Sequence, residues 1–374
     1  MTRVLIFLAI ALLVFLPFNW ITVRQLVRIH PRRRRWILGA VIAGNLMWPF
    51  FPLLRTFTPF ARAVRAVLGP LWFGWTCFAI LYSAFIFLVL LAWIPFRKRP
   101  FAEFAHGPSK TFLIIGFVAC VVGYYHAIVP LRVERVTVHV PNLPASVEGT
   151  KIALMGDLHV GLFTRRSRLD RIFSTAASLD PDLVLIAGDL IDDDPHFVPK
   201  LLEGTRALPA STPLYAVLGN HEMYGDPRAV IERMRNSRIR LLVNEGAAYR
   251  DLWIAGVSDP AAMPMNVAPP PDLGQALAGK PATALPLVLS HQPRIIAESR
   301  KRGMPLQLSA HTHGGQFGIR PLGWSLAGVF LPYHMGLYDV AGTQLYVNTG
   351  TGYWLVPFRL GMTPEITLVE LRRG

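Results

Sequence analysis

Five short apolar runs in the C-terminal part of the chain end in residue types that hold metal ions. The first leads into Gly156-Asp157-Leu158-His159 and the second into Gly188-Asp189-Leu190-Ile191-Asp192. The third leads into Gly219-Asn220-His221-Glu222, the fourth into Ser290-His291-Gln292-Pro293, and the fifth into His311-Thr312-His313-Gly314-Gly315-Gln316. A lone histidine after a strand is ordinarily a cap or a core residue. Here five of the eleven histidines fall in that one position, with Asp or Asn partners and flanking glycines, and chance explains this poorly. The glycines let the backbone turn sharply and let a ligand come close. Carboxylate and imidazole without thiolate is a donor set for Mn, Fe or Zn. Two such ions, about 3.5–4 Å apart, clamp the attacking and leaving oxygens of a phosphoryl displacement. With two aspartates and one hydroxide the centre keeps a charge of about +1, which attracts phosphate.

Positioning such groups requires strands that end at a common rim. Candidate strands are Lys151–Met155, Leu183–Ala187, Leu214–Leu218, Leu252–Val257, Leu285–Leu289, Leu306–Ser309 and Gln344–Val347. Between the first two, Leu169, Ile172, Phe173 and Ala176 recur at helical spacing across Ser167–Leu179. Asp226-Pro227 reads as an N-cap with proline at the first helical position. Alternating strands and helices predict an α/β sheet with its site outside the carboxyl ends of the strands. Pro260 to Pro286, rich in Pro and Ala, reads as an extended surface loop.

The order Asp157-x-His159, Gly188-Asp189, Gly219-Asn220-His221-Glu222, His291 and His311-x-His313 resembles the calcineurin-like metallophosphoesterase superfamily. The HTHGGQ run, Leu143-Pro144, and the ending Asn348-Thr-Gly-Thr-Gly, Pro357-Phe-Arg359 and Pro364-Glu365-Ile resemble its membrane-anchored bacterial branch, which also includes animal membrane proteins. The resemblance covers residues 131–374 and implies a four-layer α/β/β/α sandwich with two divalent metal ions (Mn, Fe or Zn). It implies that Asp157, His159 and His313 bind one ion, that Asp189 bridges, and that Asn220, His291 and His311 bind the other. His221 is then no ligand; it contacts the phosphate and protonates or stabilises the leaving oxygen, while a metal-bridging hydroxide attacks phosphorus in line. One departure is Ala310, where the family has glycine; it adds a methyl and removes no ligand.

Other residues carry two readings each. Asp192 either orients a ligand histidine or belongs to a solvated turn with Asp193 and Asp194. Glu222 bonds locally or takes part in chemistry. Arg165, Arg166 and Arg168 either reach a substrate phosphate or begin a solvated helix, and Arg359 is structural or substrate-facing. Gly323 to Tyr338, unusually apolar, is packed core by default and a lid resting on a membrane otherwise.

Composition places the rest of the chain in a bilayer. Of its 374 residues 52% are hydrophobic and 16% charged, against about 25% charged in soluble proteins. The formal charge of +15 is unevenly spread. Residues 1–130 hold 14 Lys/Arg and one acid, Glu103, whereas residues 131–374 hold 24 against 22. The excess thus sits beside apolar runs, as in membrane helices, and argues against nucleic-acid binding. Runs at Val4–Val23, Trp36–Leu54, Val67–Phe96 and Thr111–Val129 are each long enough to span. The connection after the first run carries six Lys/Arg and that after the third four, against six on the opposite side. This predicts a multi-pass protein of the bacterial inner (cytoplasmic) membrane with an extracytoplasmic catalytic domain. The expected organisation is a transmembrane domain over 1–130 and a phosphoesterase domain over 131–374. Cys77 and Cys120, both in apolar stretches, form no disulfide framework or thiolate site.

The expected function is hydrolysis of phosphomonoester, phosphodiester or pyrophosphate bonds beside the bilayer. The tethering makes a lipid or lipid-linked phosphate ester a natural substrate class. A transporter or scaffold with a regulatory metal-binding domain is the alternative. The near absence of ionisable residues within the helices speaks against transport.

Overall fold

The computed structural model of the chain describes residues 2–46 and 59–374. Among the described residues, four α-helices come first: α1 (Thr2–Ile29), α2 (Arg34–Asn45), α3 (Pro59–Trp93) and α4 (Phe101–Ile128). The first apolar run lies within α1. Of the second, residues 47–54 fall outside the described residues. Two stretches, Val67–Phe96 and Phe101–Ile128, are long and apolar enough to cross a membrane. At 1.5 Å per residue each reaches about 42–45 Å, more than a hydrocarbon core of about 30 Å. α4 starts ten residues before the expected Thr111. Phe101 and Ala105, one turn apart, are buried against Leu26, Ile29, Tyr82 and Ile86, and that packing extends the helix beyond its apolar run.

By contacts the chain divides into two compact units, Met1–Val121 and Val122–Gly374, so the last turns of α4 belong to the second. That unit contains β1 (Arg132–Val140), β2 (Lys151–Met155), α5 (Arg166–Ser178), β3 (Leu183–Ala187), α6 (Val198–Gly204), β4 (Leu214–Val217), α7 (Asn220–Tyr224), α8 (Pro227–Met234) and β5 (Arg240–Leu241). There follow β6 (Glu245–Tyr249), β7 (Leu252–Val257), α9 (Ala262–Met265), α10 (Leu273–Ala276), β8 (Leu285–Ser290), α11 (Ile296–Lys301) and β9 (Leu306–Ser309). The short pair β10 (Gly318–Ile319) and β11 (Trp324–Ser325), then β12 (Gly336–Val340), β13 (Thr343–Val347) and β14 (Glu365–Arg373), complete it.

Twelve strands form two six-stranded sheets, ordered β1-β14-β2-β3-β4-β5 and β12-β13-β9-β8-β7-β6. Strands β2, β3 and β4 are mutually parallel, as are β7, β8 and β9, so their carboxyl ends gather at one rim. Side chains alternate along each strand, and both faces are covered. Ile152, Leu154 and Leu185 meet Ile254, Leu287 and Leu308 between the sheets. Ala153, Met155 and Ile186 face Leu169, Ile172 and Phe173 of α5 on one outer side. Ala255, Val257 and Val288 meet Leu273 and Ala276 of α10 on the other. This is the expected α/β/β/α sandwich, and double coverage explains why its central strands read as unbroken apolar runs.

Two features differ from the expectation. The sheet begins before Lys151, the expected start of the first strand: β1 pairs in parallel with β14, the two lying over 200 residues apart in sequence. The segment 260–286 is not an extended loop, since it holds α9 and α10 with Ala262, Leu273 and Ala276 buried. The N-cap at Asp226 is as expected, its carboxylate accepting the Ala229 N–H at 3.0 Å.

Within the second unit, the end of α4 is fastened to the sandwich. Helix carbonyls lack partners in the last turn. Here Arg168 donates to Ala127 O (2.8 Å), Ile128 O (3.1 Å) and, from the other side, Thr351 O (3.3 Å). The Gly123 carbonyl accepts the Arg359 N–H at 2.9 Å, and the missing Gly123 side chain admits the Phe358 ring. Replacing Arg168 by Met leaves the Ala127 and Thr351 carbonyls without their cationic partner, whereas Ile128 O keeps Arg171; the change is expected to cost about 2–3 kcal/mol, lowering the Tm by about 4–12 °C. Arg166→Met, which removes only surface pairs with Asp170 and Glu203, is expected to leave the Tm unchanged within error. Thermal unfolding of the detergent-solubilised chain measures both.

Candidate metal centre

Every expected ligand leaves the carboxyl end of a strand. Asp157 and His159 follow β2, Asp189 follows β3, Asn220 and His221 open α7 after β4, His291 follows β8, and His311 and His313 follow β9. The side chains converge in two groups. One ligand atom each of Asp157, His159, Asp189 and His313 lie within 4.8 Å of one another. In the second group His291 Nε2 is 3.0 Å from Asn220 Oδ1 and 3.1 Å from His311 Nδ1. Asp189 faces both: its Oδ2 lies 3.5 Å from His159 Nε2 and 3.2 Å from His291 Nε2. Apart from half-buried His311, all seven are buried.

Five of the seven adopt left-handed backbone, with φ of 51° at Asp157, 44° at His159, 47° at Asp189, 77° at His311 and 49° at His313. Such φ values are uncommon without glycine and cost of order 1–3 kcal/mol each. The loops hold one another there. Asp157 N–H donates to Gly188 O and His159 N–H to Asp189 O, each at 3.0 Å. The His311 amide points at the Asp157 carboxylate (3.1 Å), and the His221 amide donates to Asp189 Oδ1 (2.9 Å).

The outer contacts settle several double readings. His291 Nδ1–H donates to Ala187 O at 2.7 Å, which turns its Nε2 toward Asn220 and His311. Asp192 Oδ1 lies 3.3 Å from His159 Nδ1, within ion-pair distance of a histidine. Glu222 is fully buried and accepts backbone N–H groups of Ile191 (3.0 Å) and Gly219 (2.7 Å), bracing two loops. Arg359 is also fully buried; it donates to His313 Nδ1 (3.0 Å) and to Thr349 O (2.8 Å). Arg168 serves the helix end described above, and Arg165 is exposed. Trp354 and Tyr224, which sequence reasoning did not single out, flank His221 with ring centroids 6.3 and 5.3 Å away. Aromatic type alone carries no sign of such a place.

The apolar stretch 323–338 is not packed core. Phe330 is 78% and Val329 60% exposed, and Trp324 and Leu326 are also exposed. Its fixed points are polar and lie beside the centre: Thr312 Oγ1 donates to His334 O at 2.7 Å, and Ser325 Oγ pairs with His334 Nδ1 at 2.9 Å. With the backbone anchored inward, the large side chains are left outside. Leu162, Phe163 and Trp354 add exposed apolar surface close to His159 and His221 in the chain or in space.

Burial and charge set the protonation of the cluster. Burial raises Asp157, partly opposed by His291, to about 6. Burial also raises Asp189, but His291 and His221 outweigh it and hold that carboxyl well below the ordinary range. Burial lowers His291, yet Asp189 prevails and keeps it well above normal. Burial pulls His311 down to about 3 and His221 to about 4. Without metal, therefore, a proton on His291 offsets the Asp189 charge. Imidazole and carboxylate atoms held at such distances, with a proton occupying a cation's place, fit a metal ion.

The Ala310 departure has a structural counterpart. A Cβ added at Gly156 would stand 2.4 Å from the Ala310 methyl, so one position of this pair must lack a side chain.

Fold and site together define an α/β sandwich protein with a buried Asp/His metal-binding cluster. Residues 150–315 match the calcineurin-like phosphoesterase family. The chain is 34% identical over 274 residues to a "Transmembrane protein with metallophosphoesterase domain" of Danio rerio, covering 70% of this chain and 62% of that protein. The like-named protein of Bos taurus is 33% identical over 277 residues, covering 70% and 61%. An "Uncharacterized metallophosphoesterase" of Helicobacter pylori strain J99 is 28% identical over 304 residues, covering 79% of this chain and 80% of that one. The match thus spans less than two thirds of either vertebrate relative. Residues 150–315 of this chain thus form a calcineurin-like metallophosphoesterase domain.

Two outcomes follow from this geometry. Gly156→Ala is expected to destabilise by about 1–3 kcal/mol through overpacking, and Ala310→Gly in the same chain to restore the loss, read by thermal unfolding of both variants. Titrating Mn into metal-stripped protein at pH 7 is expected to release at least about one proton per chain, because His291, and His159 where protonated, must surrender a proton to bind. Calorimetry in two buffers of different ionisation enthalpy counts the protons, and affinity is expected to rise with pH.

Proposed function

We propose that the chain is a membrane-anchored phosphoric ester hydrolase with a dinuclear metal centre. The observation that carries this reading is the Asp189 carboxylate facing His159 on one side and His291 on the other. In this assignment Asp157, His159, Asp189 and His313 would hold one divalent ion, and Asn220, His291 and His311, with Asp189, would hold the second. Such ions supply Lewis-acid polarisation of a phosphoryl oxygen and a water of lowered pKa.

The chain's own groups do the remainder. His221, its ring centroid 4.6 Å from that of His159 and itself outside both groups, contacts the phosphate. Burial keeps it neutral before substrate arrives, so it offers an N–H to the leaving oxygen. A bound phosphate anion raises its pKa and favours proton transfer to that oxygen. Asp192, Arg359 and Glu222 hold the histidines and loops in place. The exposed apolar side chains beside the centre favour a lipid or lipid-linked phosphate ester presented at a bilayer surface. The corresponding organisation is a membrane part over 1–130 with four passes and a phosphoesterase part over 131–374 on the extracytoplasmic side. A reporter fused to the C-terminus is expected to signal outside the cytoplasm.

The test is turnover of aryl phosphodiester and monoester by detergent-purified protein supplied with Mn. Asp189→Asn is expected to lose hydrolysis together with metal retention. His221→Asn is expected to lower kcat by about 10²–10⁴-fold while metal content stays at the wild-type level. Turnover unaffected by His221→Asn would reject its role, and metal bound without any hydrolysis of aryl or lipid esters would favour the scaffold reading.

A further inference from the structure

The N-terminal unit has a cavity of its own, about 950 Å³ in volume, at the upper end of the range for small-molecule sites. One face of each neighbouring helix lines it. From α2 come Trp36, Ala40, Ala43 and Gly44, and from α3 Leu71, Gly74, Trp75 and Phe78, in each case at helical spacing. The room has an identifiable source. A Cβ added at Gly74 would have nothing within 4 Å, so the space beside it is open. At Gly44 the opposite holds: a Cβ would fall 2.3 Å from the Trp75 ring, and this close approach fixes α2 against α3. Trp75 Nε1 and Asn45 Nδ2 both donate to Asn19 Oδ1, which closes this end with a polar tie between three helices.

The chemistry changes along the cavity. Its other lining includes His30, Arg33, His106 and Lys110. The rings of His30 and His106 are 5.0 Å apart. His30 Nε2 meets Ser109 Oγ at 3.0 Å, and Ser109 meets the buried Tyr82 hydroxyl at 2.8 Å, so this side is a hydrogen-bonded wall rather than a chance surface. Arg33 and Lys110 keep their side chains exposed. No acidic residue is among the described lining, and residues 1–121 contain a single acid, Glu103.

We propose that this cavity binds one molecule of an anionic phospholipid. The phosphate lies among Arg33, Lys110 and the two histidines, and an acyl chain lies along the apolar wall formed by α2 and α3. The two halves of the cavity exclude simpler occupants. Free phosphate would use the cationic end and leave the apolar length empty. A zwitterionic lipid brings its own cation to a cluster that already has an excess of them. Arg33 and Lys110 belong to the two Lys/Arg-rich connections, 24–35 and 97–110, and basic pockets between membrane helices attract anionic headgroups. Two of the lining helices, α3 and α4, contain the stretches that are long and apolar enough to cross a membrane, so acyl chains are at hand where the cavity opens. The inference is independent of the phosphoesterase chemistry.

Native mass spectrometry of the full chain in detergent, offered phosphatidylglycerol, phosphatidylcholine or inorganic phosphate, provides the test. One phosphatidylglycerol per chain is expected to be retained, at least about tenfold more tightly than phosphatidylcholine. The double substitution Arg33→Gln with Lys110→Gln is expected to abolish that preference. Filling the room with Gly74→Leu and Ala43→Leu is expected to reduce retention of both lipids. Equal retention of the two lipids, or a preference that survives the charge-neutral variant, would overturn the proposal. So would inorganic phosphate binding as tightly as phosphatidylglycerol. Since Arg33 and Lys110 are exposed, the charge-neutral variant decides alone if the filled variant misfolds.

Discussion

Two buried carboxylates and the imidazoles set against them are the constraint around which the second unit is arranged. Asp157 and Asp189 lie at the seam where two sheets meet, and neither retains appreciable contact with water. A carboxylate in that position is costly unless it is paired. Asp189 is paired on every side, by His291, by His159 and by the amide of His221. The strand ends, the glycines beside them and the crossing hydrogen bonds between neighbouring loops all deliver partners to these two groups.

That delivery is made in strained backbone. Five left-handed residues in a space this small represent a considerable local cost, and ordinary loops have no means of maintaining it. Here the loops are bonded to each other more than to themselves, and buried Arg359 and Glu222 fill the remaining polar demand from behind. The result is a rigid cluster of nitrogen and oxygen atoms with little freedom to rearrange. Such preorganisation favours chemistry that stabilises charge at fixed points.

The same unit includes the end of a helix long and apolar enough to span a membrane. Its last carbonyls are taken by Arg168, on the helix that follows the first metal motif, and by the amide of Arg359, whose side chain touches His313. The proposed centre and the end of that helix thus share two arginines and one loop. Exposed apolar side chains around His334, itself bonded beside the paired histidines, leave hydrophobic surface next to the cluster.

Much of this was legible in the chain itself. Strand ends carrying Asp157, Asp189, Asn220, His291 and His311 could be read because fully buried parallel strands are short apolar runs, and because glycine next to Asp or His marks a turn with a purpose. Asp226 declared its cap in the same local way. What depends on neighbours far away in sequence could not be read. β1 alternates polar and apolar residues and becomes a strand only through β14, so its pairing was invisible. The segment 260–286 looks like a loop until the outer face of the second sheet buries Leu273 and Ala276. Arg168 and Arg359 had the composition of substrate contacts, yet the fold gave them to carbonyls and to a histidine. Stretch 323–338 had the composition of core, and its polar anchors at Thr312 and Ser325 turned it outward. Residue types and spacing thus determined which groups were available for chemistry. Tertiary packing decided which charges are buried, what they face and which backbone conformations they hold, because those depend on free energies of contact that no local segment contains.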